Sequence, residues 1–181
     1  MFKQILAALE ASNAEIIFFC EHDVLYHPSH FEFIPKKKGV FYYNENFWKL
    51  NSETGHALHY DAKQVSGIVV YRDLAIKHYT KRVKIVEKMQ KKLSENEFGK
   101  FIRKMGYEPA THNRKEKVDN LKSESFKSEF PNIDIRHTNN LSPTRWKKEQ
   151  FINKKYTSGW AETDDEIEGW GKTKELIKRF K

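Results

Sequence analysis

Hydrophobic positions near the start of the chain follow a helical period and then form an unbroken run. Apolar residues recur three or four positions apart from Phe2 to Leu9, which predicts an amphipathic helix. The run Glu-Ile-Ile-Phe-Phe-Cys over 15–20 has the length of a strand that is buried on both faces, as in parallel sheets. A helix followed by such a strand is the unit of an open α/β sheet, so we predict an α/β fold with a mixed sheet and flanking helices.

The next part of the chain has the β-branched and aromatic residues that are typical of strands. Three such segments lie at 39–43, 56–60 and 65–71, and Asn-, Ser- and Gly-rich loops separate them. A long amphipathic helix is predicted over 72–93, with apolar residues on one side and lysines on another.

The last third of the chain has weaker patterns. We predict a short strand over 131–137, a helix over 144–155 and a basic terminal helix over 172–181. The charged segment 112–127 has the composition of an exposed loop or lid.

Two acidic residues directly follow the first apolar run. If the strand register continues, Glu21 and Asp23 point to the same side and His22 points to the other. Ligands of open α/β sheets bind at the carboxyl ends of strands, and a pair of carboxylates suits Mg²⁺ or Mn²⁺. Because acid-x-acid is a common tripeptide, a loop of solvated acids explains the pattern equally well.

Other residues become candidates only in combination. His137 ends the strand predicted at 131–137, and an imidazole ligand suits Mn²⁺ better than Mg²⁺, although most single histidines are structural. Ser66 and Gly67 interrupt a strand pattern, which marks either the close approach of a ligand or a bulge. The spacings of the remaining histidines match no familiar zinc-binding motif, so we interpret these residues as mostly structural.

The tryptophans lie in polar, loop-rich segments, at Trp48, Trp146, Trp160 and Trp170. Flat aromatic faces beside carboxylates suit sugar rings, whose C–H faces stack while their hydroxyls bond to acids. Trp170 lies between two glycines, so a backbone could approach it closely. Tryptophan is more often a core residue, and this alternative holds most strongly for Trp146.

The cysteine content, the apolar content and the charge of the chain exclude some classes of protein and favour one class of partner. The chain has 181 residues and a net charge of +8, and its single cysteine excludes internal disulfides and cysteine-based zinc clusters. No apolar run approaches the length of a bilayer span, so we predict a cytoplasmic protein that is not an integral membrane protein. The whole basic excess lies in 77–117, which has 13 Lys and Arg against 5 Glu. Such a segment favours an anionic partner: lipid phosphate, an anionic polysaccharide or nucleic acid.

Three motifs, in this order, resemble the GT-A fold glycosyltransferases of the family 2 type. The first is Glu21-His-Asp23 at the end of a hydrophobic strand, followed by Tyr26-His-Pro28. The second is Val65-Ser-Gly-Ile-Val-Val-Tyr-Arg72, and the third is Asp134-Ile-Arg-His137. The resemblance predicts one glycosyltransferase-like domain over 1–171, a partial GT-A (Rossmann-like) fold, with 172–181 as a separate basic helix.

The resemblance implies an enzyme that transfers a sugar from a nucleotide-sugar to an acceptor with the help of Mn²⁺ or Mg²⁺. It implies Glu21, Asp23 and His137 as metal ligands, and it places Ser66, Gly67 and Trp170 at the bound donor or acceptor. Glu108 and Asp61 are the candidates for the general base.

The acidic motif comes unusually early for that family, because only one helix and one strand precede it. We therefore expect that the nucleotide-binding half is missing, rearranged or supplied by another chain, and that the exposed edge of the first strand favours a homodimer. Two alternatives remain, a nucleic-acid-binding protein and a metal-dependent phosphoesterase that uses Glu21, Asp23 and nearby histidines.

Overall fold

The computed structural model describes residues 1–105, 108–109, 121–138, 140 and 143–178. The chain divides into two compact units, and each unit collects several segments of the sequence. The first unit comprises 1–19, 35–43 and 67–124, and the second comprises 20–34, 44–66 and 125–181. Each unit contains its own sheet.

The first unit is built on a four-stranded sheet. Across the sheet the order is β1 (Ile16–Phe18), β6 (Ile68–Tyr71), β3 (Val40–Asn44) and β7 (Lys122–Phe126). β6 pairs antiparallel with both β1 and β3. The side chains of 40–43 and 68–70 are buried, so the two central strands supply most of the apolar surface of this sheet.

Three helices lie among the described residues of the first unit: α1 (Phe2–Ala11), α2 (Arg72–Gln90) and α3 (Glu95–Met105). α2 buries Ala75, His78, Tyr79 and Arg82, whose spacing places them on one face of a helix. α1 packs against α2, and the Nε of Arg72 donates to the carbonyl of Leu9 at 2.8 Å. Arg72 therefore joins the end of α1 to the beginning of α2.

The second unit contains a five-stranded sheet with both parallel and antiparallel pairs. Its order is β2 (Val24–Leu25), β8 (Asn132–Arg136), β4 (Phe47–Asn51), β5 (Ala57–His59) and β9 (Ala161–Thr163). β4 and β8 run parallel, and the other three pairs are antiparallel. A small hairpin of β10 (Glu166–Ile167) and β11 (Gly171–Lys172) precedes the short helix α4 (Thr173–Lys178).

A cluster of core residues of the second unit lies on one side of this sheet. It contains seven buried apolar residues, with Trp48 and Trp170 packed against them: Leu50, Ala57, Ile133, Ile135, Ile167, Leu176 and Ile177. In β8 the apolar residues alternate with Asn132, Asp134 and Arg136, so these polar side chains project from the opposite face. The alternation of β8 thus separates this cluster from the polar side chains of β8, which share the opposite face with the buried Phe47 and Leu58.

The structure confirms a mixed α/β fold, with helices and with both parallel and antiparallel strand pairs. The predicted helix at 72–93, the strand at 131–137 and the terminal helix correspond to α2, β8 and α4. Most of the segment 112–127 lies outside the described residues, but 122–126 forms β7. None of the helices in the part of the chain that is described is long and apolar enough to cross a bilayer.

Two predictions about local structure are wrong. The run at 15–20 is only half buried, because β1 has a single partner and lies at the edge of the described sheet. Its pairing with that partner, β6, is antiparallel. The helix expected over 144–155 is replaced by two 3₁₀ turns at Lys148–Gln150 and Lys154–Thr157. There the Gln150 side chain accepts from the backbone N–H groups of Trp146 and Lys147, so the backbone bonds to a side chain before a helix can begin.

Candidate functional site

Three carboxylates gather at the β2–β8 edge of the second sheet. Glu21 and Asp23 lie in the turn before β2, and Val24 is paired with Asp134 of β8. Burial raises the pKa of Glu21, and the negative charges of Asp23 and Asp134 raise it further. A hydrogen bond with Ser66 and the positive charge of Arg136 oppose this rise. We call these three residues, Glu21, Asp23 and Asp134, the acidic cluster.

The turn that carries the acidic cluster is held by hydrogen bonds. The Tyr26 hydroxyl accepts from the backbone N–H of Glu21 at 3.0 Å and donates to the carbonyl of Ser66 at 3.1 Å. Asn140 donates from Nδ2 to Oδ2 of Asp23 at 3.1 Å. Asn140 also accepts from the backbone N–H of His137 at 2.5 Å, so it ties the exposed His137 to the turn.

The predicted metal ligands are only partly brought together. Glu21 and Asp23 act on each other electrostatically, whereas His137 connects to Asp23 through Asn140. Over the described residues, no group of three or more His, Cys, Asp or Glu side chains is arranged to hold a metal ion. The set Glu21, Asp23 and His137 therefore stays a prediction.

Two basic residues lie beside Asp134, and neither is among the site residues predicted from the sequence. Arg136 places Nη1 3.3 Å from Oδ1 of Asp134 and donates from Nε to Thr144 at 2.6 Å. Lys49 is paired with Asp134 in the parallel register, and its Nζ lies 4.0 Å from the centroid of the Tyr60 ring. The alternation of polar and apolar residues in β8 was the signal that could have revealed Asp134 and Arg136.

The Lys49 amine is buried close to the charges of Asp134 and Arg136. The residue is only 7% exposed, and its Nζ has no hydrogen-bond partner in the part of the chain that the structure describes. Burial lowers the pKa of Lys49 to about 8, with the Asp134 charge opposing this shift and the Arg136 charge adding to it. Burial likewise raises the pKa of Asp134, against the charges of Arg136 and Lys49.

The two candidates for the general base have the contacts of structural carboxylates. Glu108, in the first unit, is 2% exposed and accepts from the Tyr79 hydroxyl at 2.5 Å. Asp61, in the second unit, lies 2.7 Å from Nζ of Lys127 and accepts from Ser158 at 3.2 Å. Burial would raise the pKa of Asp61, but the bonds from Lys127 and Ser158 hold it below its usual value, which makes Asp61 a weak base.

The predicted ligand-contacting residues differ in their surroundings. Ser66 and Gly67 belong to a 3₁₀ turn, Val65–Gly67, that leads into β6. Ser66 is 2% exposed and bonds to the acidic cluster through Glu21. Trp170 instead packs on the core and donates from Nε1 to the carbonyl of Pro131 at 2.6 Å. The contacts of Trp170 are thus those of a structural residue.

Trp146 and Trp160 line a cleft of about 610 Å³ in the second unit, together with His56 and Glu162. Trp146 also lines a neighbouring cleft of about 450 Å³ with Arg136, His137 and Asn140. The four tryptophans therefore divide into two pairs, since Trp48 and Trp170 pack against the core.

In the first unit, α2 carries a row of four exposed lysines, which we call the lysine row: Lys77, Lys81, Lys84 and Lys88. Their spacing places them on one face of the helix, with Thr80 and Ile85 between them. No acidic side chain among the residues described pairs with any of the four. This face therefore presents uncompensated positive charge.

Comparisons with known proteins give no further assignment. No protein-family model, no curated protein and no solved structure matches this chain.

Proposed function

We propose that this protein is a glycosyltransferase-like enzyme whose second unit binds the diphosphate of a nucleotide-sugar beside the acidic cluster. The observation that carries this proposal is the crowding of Glu21, Asp23 and Asp134 at one edge of the sheet. Crowded carboxylates repel one another, and a divalent cation between them and a diphosphate relieves this repulsion.

The chemistry of the acidic cluster fits Mg²⁺ or Mn²⁺. Its donors are carboxylate oxygens, and the neighbouring acids already raise the pKa of Glu21. Mg²⁺ is usually held by one or two carboxylates and takes its other ligands from water and substrate phosphates. Glu21 and Asp23 would hold the ion, which when bound offsets the negative charge that develops on a departing diphosphate.

In addition to a bound metal ion, the side chains of Arg136 and Lys49 would supply positive charge beside the acidic cluster. The Arg136 guanidinium orients the Asp134 carboxylate, and Arg136 also lines the cleft that contains His137. Lys49 is the partner of Asp134 across the parallel strands β4 and β8, and its pKa of about 8 leaves the amine mostly protonated at neutral pH. Both charges favour the binding of an anionic group next to the acidic cluster.

The proposal predicts that nucleoside diphosphates bind only with the divalent ion. With Mn²⁺ present, one of UDP, GDP, CDP or ADP should raise the melting temperature of the wild-type protein. Asp23→Asn removes one carboxylate oxygen and the charge of its side chain, so we expect the affinity to fall about tenfold or more. Isothermal titration calorimetry with and without Mn²⁺ measures this change.

Glu129→Gln is the matched control, because Glu129 is an exposed acid of the same unit, outside the acidic cluster. Equal affinities for the wild type and Asp23→Asn, or no Mn²⁺-dependent binding of any of the four nucleotides, would contradict the proposal. Hydrolysis of a generic phosphodiester with Mn²⁺ alone would favour a phosphoesterase instead.

A second candidate function, nucleic-acid binding, is favoured by the lysine row of α2. Four exposed lysines without acidic partners can displace the counterions of a phosphate backbone. The row contains no aromatic side chain on which a base could stack, so a duplex is a better partner than a single strand.

This candidate predicts salt-sensitive binding that depends on the lysine row. Lys81→Glu/Lys84→Glu should weaken binding to a fluorescent DNA duplex about tenfold and make the plot of log affinity against log salt shallower by about 2. Lys155→Glu/Lys174→Glu changes the net charge by the same amount at exposed positions of the second unit, and it should weaken duplex binding less. An equal loss in both double variants would show that net charge alone attracts the duplex.

A further inference from the structure

The cleft between Trp146 and Trp160 contains side chains that are fixed in place before any ligand binds. The Nε1 of Trp160 donates to Oε1 of Glu162 at 2.5 Å, which sets the rotation of the indole. The Tyr60 ring stacks on Trp160 with an interplanar angle of 10°, and Phe151 contacts it edge-on at 85°. The indole of Trp160 is therefore a rigid wall of the cleft.

His56 connects the two indoles that line the cleft. Its ring centroid lies 5.8 Å from that of Trp146, and its Nε2 lies 3.6 Å from Oε2 of Glu162. The other ring nitrogen, Nδ1, is 2.7 Å from Asp164. The His56 ring contacts Trp146, and Glu162 lies near His56 and accepts from Trp160. The spacing between the two tryptophans therefore depends on His56 and Glu162.

The polar groups of the cleft include acceptors and donors. Glu149 and Glu162 offer carboxylate acceptors, whereas Lys147 and Lys148 offer ammonium donors. A ring with several hydroxyl groups can use both kinds at once, since each hydroxyl donates and accepts. An anionic ligand would use only the lysines and would meet two carboxylates. A cationic ligand would use only the two carboxylates and would meet two lysines.

We propose that this cleft binds a neutral saccharide, with a sugar ring placed against the indole of Trp160 or Trp146. The cleft volume of about 610 Å³ lies within the usual range for small-ligand sites and exceeds the size of one hexose. An indole presents a large flat apolar face, which suits the C–H face of a pyranose. Saccharide binding in this cleft does not depend on the proposed nucleotide site.

The position of Trp146 suggests what the saccharide is used for. Trp146 lines both this cleft and the neighbouring one that contains Arg136, His137 and Asn140. Arg136 and Asn140 in turn contact Asp134 and Asp23 of the acidic cluster. A bound saccharide could thus extend toward the acidic cluster as the acceptor, a role that rests on the proposed function, while the binding itself does not.

The test uses the full chain without metal or nucleotide. A glycan array of neutral mono- and oligosaccharides identifies binders, and calorimetry with the best one gives the affinity. We expect Trp160→Ala and Trp146→Ala each to weaken binding about tenfold. Tyr156→Ala is the matched control, because this aromatic residue is 45% exposed in the same unit and does not line the cleft. Circular dichroism verifies that each variant is folded.

The outcomes separate this inference from the proposed function. Binding of a neutral saccharide that is weakened in at least one tryptophan variant and kept in Asp23→Asn and Tyr156→Ala supports the cleft, whatever the nucleotides do. If no array saccharide binds, if only charged saccharides bind, or if both tryptophan variants bind like the wild type, the inference is overturned. Should Trp160→Ala fail to fold, Trp146→Ala and Glu162→Gln provide the same comparison.

Discussion

Replacement of Arg82 by methionine should lower the free energy of unfolding by about 3–5 kcal/mol, the usual cost of breaking a buried ion pair by removing one partner. Arg82 is fully buried in α2, and its Nη1 lies 3.9 Å from Oε2 of Glu108. The guanidinium also lies 4.5 Å from the centroid of the Phe2 ring. Methionine keeps much of the apolar volume but leaves the Glu108 carboxylate buried without this cation.

Urea denaturation of the wild type and Arg82→Met measures this loss. Lys81→Met is the matched control, because Lys81 is the adjacent residue of α2 and is exposed. The double variant Arg82→Met/Glu108→Gln should recover part of the stability, since it no longer buries the Glu108 charge without the Arg82 cation. A loss within about 1 kcal/mol of the Lys81→Met control would mean that the pair contributes little.

The second large effect is a rise of stability with pH that depends on Lys49. The pKa of Lys49 is lowered from 10.5 to about 8 in the folded protein, so between these values the unfolded chain binds more protons than the folded one. Stability therefore increases as the pH rises through this window. Between pH of about 7.5 and 9.5 the expected gain is about 2 kcal/mol, and Lys49→Met should lack it.

The quantity to measure is the difference in unfolding free energy between the wild type and Lys49→Met at each pH. Groups that titrate in both proteins largely cancel in this difference, including Cys20, whose pKa burial raises. Burial also raises the pKa of Tyr26 and Tyr60, so their opposing effect begins only near pH 10, where tyrosines of the unfolded chain ionise. Parallel pH curves for the two proteins would contradict the assignment to Lys49.

Much of the fold could be predicted because local patterns agree with the final structure. The lysines and apolar residues of α2 separate onto two faces of one helix, and β8 alternates polar and apolar residues. The pattern within each element therefore indicates both its type and its buried face. The acids Glu21 and Asp23 could also be selected, because they directly follow an apolar run, although the structure places them in a turn and not in a continued strand. These features depend on residues that are close in the sequence.

The failures that concern strands share one physical cause, which is that pairing partners lie far apart along the chain. The run at 15–20 predicts a parallel strand in the interior of a sheet, but its register is set by residues 69–71 on an antiparallel neighbour. β4 was missed because its Lys49 breaks the apolar pattern that marks a buried strand. Only the parallel neighbour β8 explains why a lysine is buried at that point.

By itself, the sequence determined the α/β character, the lysine row and the acids that follow the first apolar run, since each depends on spacing within a few residues. The tertiary structure alone decided which charges meet. It placed Asp134 between Lys49 and Arg136, enclosed Glu108 against Tyr79 and Arg82, and divided the tryptophans between a core and a cleft. Burial and Coulomb interactions act through space, so the chemistry of these groups depends on neighbours that the order of residues does not reveal.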